Sequence, residues 1–430
     1  MYDLTIIGAG WAGFNAALRA KSLGLKVALI EEAFIGGTCL NSGCIPTKTL
    51  VQSAKILELS RKSGSFGIEI AAEPKPDFPQ IQLRKNKIIQ QLGKAMETRL
   101  SGIDYLSGHG QVLDNQRFKV DGRDFQAKSI LLAAGARPFE LPGFAFDGKK
   151  IISSEEALNL SKVPGSLLII GGGVIGCEFA QIFSALGSKV QVVEIMDQLL
   201  PGVDREVAKK LETVFKKKKI SVAVSTDAKT VDLNNFELVL VCVGRKPRID
   251  GLDALGIATG KSGIIVDDYL RTSVDNIYAA GDCTGKFMLA HYASYQGICA
   301  AENIAKFSTP RKADNAVVPA CIFTSPEIAS VGLTELQASQ VCPAVKINKF
   351  DFLGSPMARI QEEAEGFIKI ISEEKTGKLI GAHIIGPKAT ELISIFTLAM
   401  SSGLNTTQLK KTIFAHPTLS EAISEAMEQG

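Results

Sequence analysis

The chain has 430 residues, 46% of them hydrophobic, and a formal charge of only +3, so it exceeds one ordinary core, predicts two to four domains and offers no field for a polyanion. Its one basic run, Lys216 to Lys219, closes an amphipathic segment with Val207, Leu211, Val214 and Phe215 at helical spacing, which reads as a solvated helix end rather than a nucleic-acid patch. No uninterrupted apolar stretch is long enough for a bilayer, the N-terminus reads as a strand rather than a signal peptide, and eight cysteines at this length make no secreted framework; a cytoplasmic protein without a membrane partner is expected.

The first unit runs from the strand-like Asp3 to Ile7 into Gly8-x-Gly10-x-x-Gly13. A helical stretch with Ala16, Ala17, Ala20 and Leu23 follows, then a strand, Val27 to Ile30, closing on Glu31. This is the dinucleotide fingerprint in the strand, turn, helix and strand setting that it needs. Gly8 makes the tight turn, Gly10 admits a pyrophosphate to the backbone, and Gly13 lets helix and sheet pack closely. The helix N-terminus then faces the phosphates, and Glu31 is placed to accept from both ribose hydroxyls.

Next comes Gly36 to Lys48, Gly-Gly-Thr-Cys-Leu-Asn-Ser-Gly-Cys-Ile-Pro-Thr-Lys. If Cys39 and Cys44 form a disulfide, they can carry two electrons. A regular helix would set them about 140° apart around its axis and roughly 7.5 Å along it, beyond S–S reach. The helix is therefore expected to start irregularly, with Gly36, Gly37 and Gly43 supplying the freedom. Lys48, one turn past Cys44, can lower a thiolate pKa or meet a cofactor. A zinc site would need further ligands at short spacing, so no metal is expected, and a purely structural bridge over so short a loop stabilises little. Cys177, Cys242, Cys283, Cys299, Cys321 and Cys342 lie among apolar residues and read as core.

Helical stretches follow from Thr49 to Ser60 and Ile81 to Leu100, then strands near Gln111 to Val120 and Ile130 to Ala134, leaving through Gly135-Ala-Arg-Pro. The fingerprint then recurs. Leu167 to Ile170 leads into Gly171-Gly-Gly173-x-x-Gly176, a helix through Phe179 and Phe183, and a strand, Lys189 to Val193, closing on Glu194 at the spacing of the first copy. A carboxylate at the ribose repels a 2′-phosphate, and no Lys or Arg occurs from Val190 to Gly202, which favours NAD over NADP. The second unit leaves through Leu238 to Val243 and Gly244-Arg-Lys-Pro, so the exits also match, as in an internal repeat.

Thr272 to Tyr278 returns as a strand into Ala279-Ala-Gly-Asp282, which places a carboxylate for sugar-like hydroxyls before a helix from Leu289 to Phe307. Beyond Thr309-Pro310 the pattern changes to strands, Phe367 to Ile371 and Leu379 to Ile385, and helices bearing Ile393, Phe396, Leu398 and Met400. The last segment holds Ala415-His-Pro-Thr-Leu-Ser-Glu421. His416 suits proton transfer near neutrality, Glu421 can fix its tautomer, and the His416-Pro417 bond is a candidate cis peptide.

The cysteine stretch together with His-Pro-Thr-Leu-Ser-Glu resembles the flavin disulfide oxidoreductases, and among them the dihydrolipoamide dehydrogenases, over nearly the whole length. The resemblance implies an α/β fold with two Rossmann-like dinucleotide-binding domains and a C-terminal α+β dimerisation domain. Its divisions are an FAD-binding domain over residues 1–145, an NAD-binding domain over 146–264, a return to the FAD or central domain over 265–311, and an interface domain over 312–430. It implies that Cys39 exchanges with dihydrolipoamide, that Cys44 is the thiolate against the flavin, and that Lys48 pairs with Glu178 near the flavin's reactive nitrogen. Gly8, Gly10, Gly13, Glu31, Gly110, Asp282 and Ala290 match flavin contacts, and Gly171, Gly173, Gly176, Glu194 and Gly244 match the NAD side. His416 and Glu421 would serve the disulfide of the opposite subunit in a homodimer whose partners are lipoyl-bearing proteins of 2-oxoacid dehydrogenase complexes or the glycine cleavage system.

Two stretches depart from that pattern. Ala223 to Asn235 is short where relatives carry extra strands, and His291-Tyr-Ala-Ser-Tyr-Gln-Gly replaces a more charged version. The nearest rival is an NADPH-dependent reductase of the glutathione type, disfavoured by Val174 in place of a gating Tyr and by the missing arginines beside Glu194. A mercuric reductase is disfavoured by the ending Glu428-Gln-Gly, which has no cysteine pair. A reading of another class is a structural or moonlighting subunit of a large complex.

Overall fold

The computed structural model describes residues 1–428; Gln429 and Gly430, which belong to the ending weighed against mercuric reductases, lie outside the described residues. The architecture is three large sheets with helices and two short two-stranded ribbons among the described residues, an α/β arrangement of the expected class. In the first, strands run in the order 104–107, 27–31, 2–7, 123–132, 117–120 and 110–112, with 277–279 also on 123–132. Its centre is parallel, Ile6 lying opposite both Leu29 and Leu131. Leu4, Thr5 and Ile6 are all fully buried, so this strand is covered on both faces, as a parallel sheet flanked by helices requires. Trp11–Ser22 packs on Ala290–Ile304 through small residues. A Cβ on Gly297 would stand 2.1 Å from Ala12 O.

The second sheet is parallel throughout, in the order 221–223, 189–193, 166–170, 238–241 and 151–152. The segment from Ala223 to Asn235 holds the end of one short strand and two 3-10 turns. The two exits that match in sequence pair with each other: 136–138 and 245–247 form an antiparallel ribbon with Lys246 opposite Arg137. That ribbon ties the first and second sheets together at the ends from which their glycine turns emerge.

The third sheet, in the order 320–322, 327–332, 379–386, 367–373 and 345–351, is antiparallel throughout. Helix Ala389–Ser401 buries Leu392, Ile393, Phe396 and Ala399 against it and turns Leu398 outward. A buried ion cluster joins this sheet to the second nucleotide unit. Lys369, 1% exposed, places Nζ 3.2 Å from both oxygens of Asp204 and 2.9 Å from Glu206, and also meets Glu335. Burial pulls the Lys369 pKa down, but the surrounding carboxylates win and hold it above its usual value.

Some local expectations move. The helix expected from Thr49 begins at Cys44, and that expected from Ile81 begins at Phe78, where the Asp77 side chain accepts from Gln80 N and Pro79 occupies the first turn. The helix expected to reach Phe307 ends at Ile304, with Lys306 left-handed at φ 50°. Thr272 to Asn276 is a turn, and only Ile277–Ala279 is strand. Cys177, Cys242, Cys283 and Cys299 are buried, but Cys321 and Cys342 are only half-buried. No helix among the described residues is long and apolar enough to cross a membrane.

Candidate active site

The two fingerprints fold into the same device. Gly8 and Gly171 take φ of 103° and 105°, and each donates its N–H 2.8 Å to the last apolar residue of the neighbouring strand, Ile30 or Val193. A Cβ on Gly8 would lie 2.3 Å from Ala133 O, and on Gly171 2.5 Å from Cys242 O. Gly13 and Gly176 press on the turn itself, where a Cβ would come within 1.9 and 2.0 Å of Gly8 O and Gly171 O. Gly10 and Gly173 differ, since a Cβ on either meets nothing within 4 Å. Those two leave room for a group to approach the helix N-terminus, which is how a pyrophosphate binds.

The acidic residues are twins as well. Glu31 accepts from Ala9 N at 2.8 Å and Ala33 N at 3.0 Å; Glu194 accepts from Gly172 N at 2.7 Å and Met196 N at 2.9 Å. Each carboxylate thus pins its glycine turn and keeps further lone pairs free to accept hydrogen bonds.

One cavity of about 1450 Å³ extends from Gly10 and Asp282, past Cys39, Cys44 and Lys48, to Gly173, Glu194 and Gly244, and takes in Gly171, Glu178 and Ala290. Gly8, Gly13 and Gly176 stand behind its wall as packing positions. Gly110 is also outside the lining, because its strand sets it against Ile30 and Ile7, where a Cβ would be 3.0 Å from Ile30 Cγ2.

The cysteines sit on two helices rather than one. A short helix, Gly37–Asn41, breaks at Ser42 and Gly43, and a new helix starts at Cys44. Gly36 and Gly37 have positive φ, 86° and 53°, and a Cβ on Gly43 would press on Thr38 O at 2.9 Å. The break brings the two free thiols to one cavity wall, close enough for each to shift the other's ionisation. The bond from Cys39, helped by the Lys48 charge and opposed by burial, brings Cys44 down to about 7. Cys39 moves upward, because it shares its proton with Cys44 and is buried. In the reduced pair Cys44 is therefore the thiolate and Cys39 the thiol.

Lys48 is held by Glu178, with Nζ 2.9 and 2.8 Å from the two carboxylate oxygens. Glu178 is itself 3% exposed and accepts from Phe323 N at 2.9 Å, while the Lys48 ammonium lies 4.7 Å from the Phe323 ring centre. This keeps a cation inside the cavity with its counter-charge satisfied, the condition for a buried pair to persist. Burial pushes Asp282 up, against the pull of Arg245.

His416 places Nδ1 2.8 Å from Glu421 Oε1, and the second oxygen of Glu421 accepts from Thr418 N at 2.8 Å. The Thr418 bond, with the one to His416, holds the Glu421 carboxyl below its ordinary range. The His416-Pro417 peptide is cis, as is Ser325-Pro326. With Nδ1 engaged by a carboxylate, Nε2 is the nitrogen left to accept a proton. The His416 side chain is 71% exposed and stands outside the cavity wall in the single chain.

Several wall residues carried no assignment from sequence. Arg245 donates to Ala136 O at 2.7 Å and to Thr38 Oγ1 at 3.3 Å, tying the exit ribbon to the cysteine turn. Its signal was its place in the matched exits. Trp11, Phe323 and Lys229 also line the cavity, as does Cys321, whose apolar neighbours in sequence place it in the core. Lys229 brings a cation from the short segment into the chamber that holds Glu194, which a scan limited to Val190 to Gly202 misses.

Residues 2–297 match the family model for the pyridine nucleotide-disulphide oxidoreductases, and residues 318–427 match that family's dimerisation domain. Among curated proteins, the chain is 39% identical to a dihydrolipoyl dehydrogenase of Chlamydia muridarum, over 99% of this chain and 96% of that one. It is 38% identical to one of Bacillus subtilis, over 99% and 97%. Among solved structures it superposes on the HOCl-induced flavoprotein disulfide reductase RclA from Escherichia coli with a TM-score of 0.89 and 29% identity, covering 99% of both chains. The chain belongs to the pyridine nucleotide-disulphide oxidoreductase family and is an oxidoreductase.

Proposed function

We propose that the chain is a dihydrolipoyl dehydrogenase, which oxidises protein-bound dihydrolipoamide to lipoamide and reduces NAD, working as a homodimer with FAD as resident cofactor. The carrying observation is the placement of Cys39, Cys44, Lys48 and Glu178 in one cavity, between two glycine turns built alike. Gly8, Gly10, Gly13, Glu31, Lys48, Gly110, Asp282 and Ala290 are assigned to FAD, and Gly171, Gly173, Gly176, Glu194 and Gly244 to NAD. The cradles at Gly10 and Gly173 fit a pyrophosphate each, and the domains are assigned to residues 1–145, 146–264, 265–311 and 312–430.

The chemistry supplied by bound FAD is transfer of an electron pair from the dithiol to NAD, which restores the disulfide. Everything else falls to the chain's own groups. In the oxidised enzyme Cys39 and Cys44 are bonded to each other. His416 of the partner subunit, its Nδ1–H oriented by Glu421, takes the proton of one substrate thiol on Nε2. The substrate thiolate attacks Cys39 Sγ, the S–S bond breaks, and Cys44 departs as the thiolate that Lys48 stabilises. The second substrate thiol then gives up its proton, its sulfur displaces Cys39 from the mixed disulfide, lipoamide leaves, and the Cys39 thiolate takes up that proton. Two substrate thiols have become one disulfide and the protein disulfide has become thiol and thiolate, with one substrate proton on Cys39 and the other on His416, so electrons and protons balance.

The lipoyl-bearing partner belongs to a 2-oxoacid dehydrogenase complex or the glycine cleavage system. Side-by-side turnover with dihydrolipoamide plus NAD and with glutathione disulfide plus NADPH tests the reading. Faster reduction of glutathione disulfide would replace it with the rival reductase.

A further inference from the structure

We propose that Trp11 stabilises the Cys39 sulfur in the transient thiolate form in which it leaves the mixed disulfide, by donating its indole N–H to it before the sulfur is protonated. Trp11 Nε1 is buried and has no hydrogen-bond partner. Buried donors are nearly always paired, so this one requires an acceptor that is charged or bound only during function. Trp11 opens its helix directly after Gly10, and the cysteine turn lies on that spot. Gly36 donates its N–H 2.9 Å to Ala9 O, and a Cβ on Gly37 would be 2.8 Å from Gly10 Cα. Two residues later, Cys39 shares the cavity wall with the indole.

A neutral thiol is a weak acceptor and a thiolate a strong one. The Trp11 N–H therefore gains its partner when Cys39 is charged, as it is when the second substrate thiol displaces it. The sharing of a proton with Cys44 and burial both push Cys39 upward, and the Trp11 N–H is the neutral group that pulls it back, beside the charge of Lys48. The other charged groups around the pair are Glu178 from helix Val174–Ala185, Arg245 from the exit ribbon and Asp282. None of them donates to Cys39. An aromatic residue at an unspecified position of a glycine fingerprint carries no message in sequence; only the fold brings it to the cavity wall that also holds the thiol.

This inference rests on the reading of Cys39 as the substrate-facing thiol, but its test needs no turnover. In holoenzyme carrying Cys44→Ser, which leaves Cys39 without a thiol partner, the rate of Cys39 alkylation by iodoacetamide is followed against pH by peptide mass. Adding Trp11→Phe, which keeps a ring and loses the N–H, is expected to move the midpoint up by about one unit and slow alkylation at neutral pH about tenfold. Trp11→Leu should give the same shift. An unmoved midpoint in Trp11→Phe overturns the proposal, as does a shift in Trp11→Leu alone, which would assign the effect to ring packing. Loss of flavin with an unmoved midpoint also overturns it, placing the N–H on the cofactor.

Discussion

Replacing Cys39 by alanine tests what makes Cys44 the thiolate. In the reduced pair Cys44 stands at about 7, against an ordinary 9.0. The shift of two units corresponds to about 2.7 kcal/mol favouring the thiolate, and the hydrogen bond from Cys39 is its largest cause. Without that donor, burial and the Glu178 charge raise the pKa while Lys48 lowers it, so the group returns to about its ordinary value. At pH 7.5 the thiolate fraction then falls from roughly three quarters to a few per cent. The assay is the pH dependence of Cys44 modification in the reduced holoenzyme, resolved by peptide mass. Cys39→Ser, whose hydroxyl still donates, should lie nearer the parent. A midpoint that stays near 7 in Cys39→Ala would refute the role given to the thiol contact and leave the Lys48 ammonium to set the thiolate.

His416→Ala should slow dihydrolipoamide oxidation about 10²- to 10⁴-fold with flavin content unchanged. Heterodimers of that chain with a Cys39→Ser chain should regain activity, because one complete site forms across the interface; inactive heterodimers would put His416 and Cys39 in the same subunit. Glu194→Ala should improve the use of NADP relative to NAD, by removing the carboxylate beside the 2′ position, and an unchanged preference in steady-state rates would exclude Glu194 from cofactor choice. Lys369→Met leaves Asp204 buried without its cation and should cost about 3 kcal/mol in denaturant unfolding. Lys369 holds the Asp204 pKa below its ordinary value against burial, so that contribution is present above the unfolded pKa and is lost as pH falls through the lower folded one. The deficit of the variant should therefore shrink in acid, and a deficit constant with pH would rule out the ion-cluster reading.

The glycine turns were legible because backbone geometry leaves little choice. A strand that must turn sharply into a helix and admit a phosphate needs a missing Cβ at Gly8, Gly10 and Gly13, and again at Gly171, Gly173 and Gly176. The irregular helix start was legible for a similar reason, since two thiols five residues apart cannot meet on a regular helix. Half-buried Cys321 was not, because apolar neighbours in sequence do not reveal a cavity on one side of a strand. Gly110 shows the reverse case: a matched position lies outside the cavity lining, packed on Ile30 and Ile7.

By itself the sequence determined the repeated nucleotide unit, the reactive pair and the histidine with its carboxylate, because each is a local pattern whose chemistry depends on residues close in the chain. Tertiary structure decided which distant groups meet. Lys48 reaches Glu178 across 130 positions, the two exits join as one ribbon, and Arg245 arrives against Thr38. Long-range pairing is set by how sheets and helices pack, which leaves no periodic trace in sequence. The same packing leaves His416 outside the cavity of its own chain, and so brings the second subunit into the proposed chemistry.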